Sequence, residues 1–214
     1  MAHVTVAGEA SLEQSIQGSR FIAFVFEADS PESVLGRLAS VRGDHPDATH
    51  HCWAFRVGPI KRFSDDGEPG GTAGRPMLEV VLKRGLDHVG GVVVRYYGGK
   101  KLGAGGLVRA YSGTLAKAFD LAGVREVVDV VSVRVWVPFA GTDVALRLLD
   151  ELGRAEAFNP LVRGAPGFDE RGMNVEVSVP ASALAELEAR LQEATNGAAK
   201  VEGGRDTGRS PMGA

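Results

Sequence analysis

The stretch "VGGVVVRYYGGKKLGAGGLVRAY", residues 89–111, decides the fold of the first half of the chain. Residues 89–97 are mostly apolar and rich in β-branched side chains, which is typical of a strand. A glycine loop follows at 98–106, and an apolar helical stripe then continues to Gly123, a residue type that commonly ends helices. The stretch therefore predicts a strand, a glycine loop and a helix in succession.

The glycine loop has the features of an anion site. A loop between a strand and a helix directs free backbone N–H groups and the positive end of the helix at one place. No acid occurs between Asp87 and Asp120, although this interval contains several cations. The spacing of the glycines matches neither a P-loop nor a dinucleotide fingerprint. The predicted anion- or nucleic-acid-binding residues are Arg95, Lys100, Lys101, Gly103, Gly105, Gly106 and Arg109. The alternative is a solvated surface whose glycines serve only the turn.

A second unusual stretch, "FSDDGEPGGTAGRP" at 63–76, has no large apolar side chain after Phe63. Its three acids are Asp65, Asp66 and Glu68, and it cannot contribute to a core. These acids are one candidate partner for the basic loop. The external candidate is the phosphate backbone of RNA or DNA, which Lys and Arg bind without sequence preference. The nearby Tyr96, Tyr97 and Tyr111 would then be placed to stack on bases, although Tyr111 also falls on the apolar stripe of the helix.

The bulk composition restricts the class of protein. A chain of 214 residues with 44% hydrophobic content forms one large or two small packed domains. The net charge of −3 is not that of a strongly basic nucleic-acid-binding protein. Cys52 is the only cysteine, which excludes an internal disulfide and fits a reducing compartment. The first twenty residues do not resemble a signal peptide, and no apolar run approaches a membrane span of about 20 residues. We therefore expect a cytoplasmic protein without membrane segments.

The pattern of elements predicts an α+β protein of two domains. The first domain is expected at 1–129 and the second at 130–204, followed by a disordered tail at 205–214. The second domain reads as β-α-β-β-α-β, which is the ferredoxin-like order. In that interpretation its second strand lies at 155–159 and its last strand at 199–202.

The motif "HHCW" at 50–53 raises the question of catalysis. In a strand His50 and Cys52 lie on one face and His51 on the other, so the three do not chelate a metal as a unit. A Cys52 nucleophile would need a neighbouring base, and a lone thiol is more often a small buried apolar group. The sequence therefore predicts no catalytic residue, no metal site and no cofactor.

Four motifs together carry a resemblance to a known family. "SRF" (19–21), "HHCWAFR" (50–56), the acidic stretch (63–76) and "VVVRYYGGKKLGAGGLVRAY" (92–111) occur in the order found in the YigZ/IMPACT family. The family commonly has serine where Gly70 stands, and often an apolar or small residue where Lys100 stands. Besides the cations of the glycine loop, the family motifs fall on Ser19, Arg20, His50, His51, Asp65, Asp66 and Glu68.

The resemblance implies a fold and a function. It implies a first domain like domain 2 of ribosomal protein S5 and a second, ferredoxin-like domain similar to domain V of elongation factor G. It also implies a non-enzymatic protein of translation regulation that associates with RNA, the ribosome or a protein of the translation machinery. The acidic stretch is then an ordered surface loop that faces the glycine loop across a cleft. Two alternatives remain open: a metal-assisted hydrolase using His50, His51 and the three acids, and a module that binds only proteins. No oligomeric state is predicted.

Overall fold

The computed structural model describes residues 3–211 of the chain and the side chains of residues 3–203. The protein is α+β, as the sequence predicts, with helices packed on antiparallel sheets. It forms two compact units, His3–Arg125 and residues 126–211, whereas the sequence predicts the division after residue 129. At the end of the first unit, the guanidinium of Arg125 pairs with Glu27 at 2.5 Å. None of the helices within residues 3–211 combines the length and apolarity needed to cross a membrane.

The N-terminal unit is organised around a sheet of five antiparallel strands. The unit begins with a short strand, β1 (His3–Val6), which is not part of this sheet. The five strands of the sheet are β2 (Ala10–Ile16), β3 (Ser19–Glu27), β4 (His50–Val57), β5 (Ile60–Ser64) and β6 (Val89–Tyr96). The order in the sheet is β2-β3-β6-β4-β5, so β6 is central and its residues are buried up to Arg95. Its two glycines permit close packing: a Cβ at Gly90 would lie 2.6 Å from the Phe26 ring, and one at Gly91 would lie 2.6 Å from Leu115.

Three helices cover the two faces of this sheet. They are α1 (Pro31–Asp44), α2 (Gly74–Lys83) and α3 (Gly103–Ala122). Residues of α2 and α3 share one buried cluster with Phe21 and Cys52, whereas α1 shares a second cluster with Phe55. Thus consecutive residues of β4 face different cores, as the alternation of a strand requires.

The helix α3 begins earlier than the glycine pattern predicts. Because α3 starts at Gly103, Gly105 and Gly106 lie in its first turn and not in a loop. The first turn wraps tightly around Leu102, since a Cβ at Gly106 would lie 2.9 Å from the Leu102 Cβ. The helix therefore starts with four consecutive small residues, three glycines and Ala104.

The C-terminal unit consists of one antiparallel sheet and two helices. Its elements are β7 (Val124–Pro138, which enters this unit at Glu126), α4 (Thr142–Leu152), β8 (Val162–Arg163), β9 (Gly167–Phe168), β10 (Gly172–Pro180), α5 (Leu184–Ala194) and β11 (Lys200–Pro211). The strand β7 pairs with β11 on one side and β10 on the other, while β8 and β9 both pair with β10. The core contains alternate valines of β7 and β10 together with Leu149 of α4 and Leu187 of α5.

Two predicted segments of this unit differ from the structure. The second strand was expected at 155–159, but Glu156–Phe158 forms a 3-10 helix because Phe158 is drawn into the core, and the strand lies at Val162–Arg163. The predicted disordered tail, 205–214, is assigned to β11 as far as Pro211, where it pairs with the first half of β7. Residues 212–214 lie outside the described part of the chain.

Candidate functional site

A cleft of about 490 Å³ lies within the N-terminal unit, between the acidic stretch and the start of α3. Its lining residues are His50, Gly67, Glu68, Pro69, Arg95, Tyr97, Lys101, Leu102, Gly103, Ala104 and Leu107. The two stretches that the sequence places opposite each other therefore do line one cleft. The apolar lining residues Pro69, Leu102 and Leu107 carry no polar signature, so sequence reasoning missed them.

Asp65 gives the acidic stretch its first fixed point. Its carboxylate accepts hydrogen bonds from the backbone N–H groups of Gly71 at 2.8 Å, Ala73 at 3.0 Å and Gly74 at 2.8 Å. A carboxylate at this position satisfies N–H groups at the start of α2 and complements the positive helix end. Asp65 is thus a helix cap, and its oxygens are occupied by the fold.

Asp66 fixes the stretch to β4 and α1. One oxygen accepts from Arg42 at 2.6 Å, and the other accepts from the backbone N–H of His51 at 2.7 Å. Its own carbonyl oxygen lies 2.8 Å from His50 Nδ1. Because a carbonyl only accepts, this contact places a proton on Nδ1 and leaves Nε2 of a neutral His50 ring as an acceptor. The acidic stretch is therefore an ordered loop.

Glu68 is buried in the cleft wall and forms the centre of a polar cluster. Its Oε1 accepts from Arg95 Nη1 at 2.6 Å and from the Tyr111 hydroxyl at 2.7 Å. His50 Nε2 lies 3.8 Å from the same oxygen. Burial raises the pKa of Tyr111, so its hydroxyl stays protonated and donates to Glu68. The structure thus brings together the predicted residues His50, Glu68 and Arg95.

This cluster corrects the predicted roles of two residues. Arg95 is 5% exposed and ion-paired with Glu68, so it is not the exposed surface cation that the charge pattern predicts. Tyr111 is fully buried and cannot stack on a base, in agreement with its place on the apolar stripe. Tyr97 remains exposed beside the cleft, with its ring centroid 5.4 Å from the Arg95 guanidinium carbon.

Ser19 connects the start of β3 to the segment before α3. Its hydroxyl accepts from Arg95 Nη2 at 3.3 Å and from the backbone N–H of Gly98 at 3.2 Å. Gly98 lies so close to the preceding turn that a Cβ there would be 1.9 Å from the carbonyl oxygen of Gly18. The motif residue Arg20, in contrast, is exposed, pairs with Glu13 at 2.7 Å and covers the ring of Tyr96, so it does not line the cleft.

Two chemically reactive side chains near this cluster, Cys52 and His51, are both hydrogen-bonded to backbone carbonyl groups. Burial raises the pKa of Cys52 to about 12, and its thiol donates to the Asp65 carbonyl at 3.0 Å. His51 faces α1, with Nε2 at 3.1 Å from the His45 carbonyl, and burial lowers its pKa. The three acids have different partners, and no three His, Cys, Asp or Glu side chains within the described residues are placed to hold a metal.

The amino end of α3 carries the other predicted residues. No side chain caps this end, no acid occurs in the first turn, and Gly103 has a φ of 69°, which favours glycine. Lys101 lines the cleft, whereas Lys100 and Arg109 do not. A Cβ at Gly105 would lie 3.6 Å from Arg109 Nη1, so this guanidinium reaches back along the first turn. All three cations are exposed, and none forms an ion pair with a side chain that the structure describes.

Comparisons with known proteins identify relatives of this half of the chain. The family model of the Impact N-terminal domain matches residues 17–119. An IMPACT family member encoded in the pol 5′ region of Thermus thermophilus is 52% identical over 124 residues, which cover 58% of this chain and 68% of that protein. The IMPACT family member YigZ of Escherichia coli is 45% identical over 117 residues, covering 52% and 57% of the two chains.

A Bacillus subtilis relative and a solved structure extend these matches. The IMPACT family member YvyE is 41% identical over 128 residues, covering 58% of this chain and 59% of that protein. The matched segments therefore span little more than half of the E. coli and B. subtilis proteins. A crystal structure described as that of a hypothetical protein superposes with a TM-score of 0.64 at 30% identity, over 96% of this chain and 98% of the other.

Proposed function

The chain belongs to the IMPACT family, and from this premise we propose that it is a non-enzymatic RNA-binding protein that associates with the ribosome in translation regulation. The observation that carries the proposal is the amino end of α3, which is uncapped and opens into a cleft bordered by Lys101. The free N–H groups of such an end attract phosphate. Lys100 and Arg109 add positive charge beside it.

The local charge explains how a chain with a net charge of −3 would bind RNA. Glu68, the acid that lines the cleft, is neutralised by Arg95, so the exposed cations at the amino end of α3 are not opposed there by a free carboxylate. Contacts between such cations and phosphates release counterions and depend on salt. Tyr97 is an exposed ring beside them on which a base would stack.

The same proposal includes the finer description of the fold and location. We propose that residues 1–129 form a domain like domain 2 of ribosomal protein S5, and residues 130–204 a ferredoxin-like domain. The antiparallel order β11-β7-β10-β8 and the chain order β-α-β-β-α-β support the latter, with β9 as an added short strand. A cytoplasmic location is part of the proposal, supported by the single reduced and buried Cys52.

A salt titration of RNA affinity tests the function. With single-stranded RNA, three cation–phosphate contacts give a slope of about −2 in a plot of log K against log salt, because each contributes about −0.7. The triple substitution Lys100→Ala, Lys101→Ala and Arg109→Ala should remove most of that slope. The control Lys61→Ala, Arg62→Ala and Lys83→Ala removes three exposed cations that are not at the amino end of α3. An equal loss of affinity in both triple variants would reject this surface.

A further inference from the structure

The cleft at the amino end of α3 is lined by both polar and apolar groups, which together fit one small amphiphilic anion. We infer that the cleft binds a single phosphorylated nucleotide, either free or at the end of an RNA strand, with its phosphate at the start of α3. This inference rests on the proposed function and names the part of the RNA that the site recognises. The volume of about 490 Å³ lies within the roughly 300–1,000 Å³ typical of small-molecule sites. A cleft of this size accommodates one nucleotide.

The polar lining groups of the cleft are suited to a terminal phosphate. Gly103 and Ala104 of the uncapped helix end and Lys101 all line it, which combines backbone N–H groups with one free positive charge. A terminal phosphate carries more negative charge than a phosphodiester and presents three oxygens, so it gains more from converging donors. The Glu68 carboxylate does not oppose it, because Arg95 and Tyr111 already donate to Glu68.

Arg95 provides an independent sign that a ligand belongs in this cleft. The residue lines the cleft and is 5% exposed, yet its Nε is buried and has no hydrogen-bond partner among the described residues. Buried donors in native proteins are rarely left unpaired. The guanidinium is held by Glu68 and Ser19 through its other nitrogens, so Arg95 is fixed in the cleft wall while its Nε stays unpaired.

The apolar lining residues of the cleft are suited to the base and sugar. Pro69, Leu102 and Leu107 supply flat, apolar contacts, and the exposed Tyr97 ring supplies a stacking surface. Stacking of a base on an aromatic ring contributes without selecting a particular base. We therefore expect a preference for a phosphorylated nucleotide of any base over inorganic phosphate or a nucleoside.

Calorimetric titration of the full-length protein with adenosine 5′-monophosphate, adenosine and inorganic phosphate tests the ligand class. The monophosphate should bind at least about tenfold more tightly than either fragment, because each fragment lacks one set of contacts. Lys101→Ala should weaken its binding about tenfold, as expected for one charge-assisted hydrogen bond. Tyr97→Ala should weaken it by a similar factor of about ten through lost stacking. Lys61→Ala, which removes an exposed lysine outside the cleft, is the matched control.

Competition with RNA oligonucleotides distinguishes the two sources of the nucleotide. Oligonucleotides ending in a 5′-phosphate, a 3′-phosphate or hydroxyl groups should differ in affinity if the site binds an RNA end. Equal affinities, together with tight binding of the monophosphate, would assign the site to a free nucleotide. The inference is overturned if the monophosphate does not bind, if inorganic phosphate binds as tightly, or if Lys101→Ala behaves like Lys61→Ala. The proposed function is tested separately, by the salt-dependent binding of RNA that ends in hydroxyl groups. That binding can persist when any of these outcomes is observed.

Discussion

At the scale of single residues, three neighbouring acids have three different functions in the structure. Asp65 caps α2, Asp66 holds the loop to β4, and Glu68 compensates a buried arginine. The sequence predicts that the acids fold back toward the basic segment, but it cannot assign these partners, because each depends on backbone positions far along the chain. The burial of Arg95 cannot be predicted either, because an arginine at the end of an apolar strand is equally compatible with an exposed position.

The Glu68 cluster predicts an order of stabilities. Glu68→Gln leaves the Arg95 guanidinium buried without a countercharge, which should lower the free energy of unfolding by about 3 kcal/mol or more. Tyr111→Phe removes one hydrogen bond to the carboxylate and should lower it by about 1–2 kcal/mol. Urea unfolding of both variants measures the difference. A Glu68→Gln variant no less stable than Tyr111→Phe would contradict the importance assigned to the ion pair.

His51 predicts a dependence of stability on pH. Burial lowers its pKa in the folded state below the ordinary value of 6.5, so the folded protein favours the neutral ring and binds fewer protons than the unfolded chain. The contribution of the neutral His51 ring to the free energy of unfolding is therefore fully present above pH 6.5, and it is lost as the pH falls through the lowered pKa. Urea unfolding at several pH values should therefore show a weaker decline below pH 6.5 in His51→Gln than in the unsubstituted protein. The same decline in both proteins would assign the pH dependence to other groups.

At the scale of elements, the sequence predicts the strands β4 and β6 and the helix α3 of the N-terminal unit, and it misses the edges of the sheet. The placement of His50 and His51 on opposite faces of β4 is confirmed, because it depends only on local backbone geometry. The strands β2 and β5 lie at the two edges of the sheet and have half-exposed or exposed residues, so they lack a clear apolar pattern. The start of α3 is shifted because glycine suits both a loop and a tightly packed first turn.

In the segment between β6 and α3, adding one methyl group at Gly98 should strongly lower the stability of the fold. In Gly98→Ala the added Cβ would lie 1.9 Å from the Gly18 carbonyl oxygen, so the backbone of one turn must move. We expect a loss of about 2–4 kcal/mol in the free energy of unfolding, together with weakened binding at the cleft. Gly70→Ser is the control, because nothing lies within 4 Å of a Cβ there and its φ is not positive. Serine at this position should be neutral or slightly stabilising by up to about 1 kcal/mol.

At the scale of the whole molecule, the chain contains two compact units with separate cores. The order of predicted strands and helices leads to an expectation of two domains, whereas the partners of a cleft residue cannot be deduced from such a pattern. All residues that line the cleft belong to His3–Arg125. The proposed RNA contacts should therefore depend on this unit alone.

A fragment of residues 1–129 tests that distribution of function. It contains the complete five-stranded sheet, its three helices and the whole cleft. We expect it to unfold cooperatively on heating, as followed by circular dichroism, because its two buried clusters contain no residue beyond Ala122. Its affinity for single-stranded RNA should stay within about threefold of the full-length value at each salt concentration, since such a factor corresponds to less than 1 kcal/mol. A folded fragment that has lost the salt-dependent affinity would instead assign essential RNA contacts to the C-terminal unit.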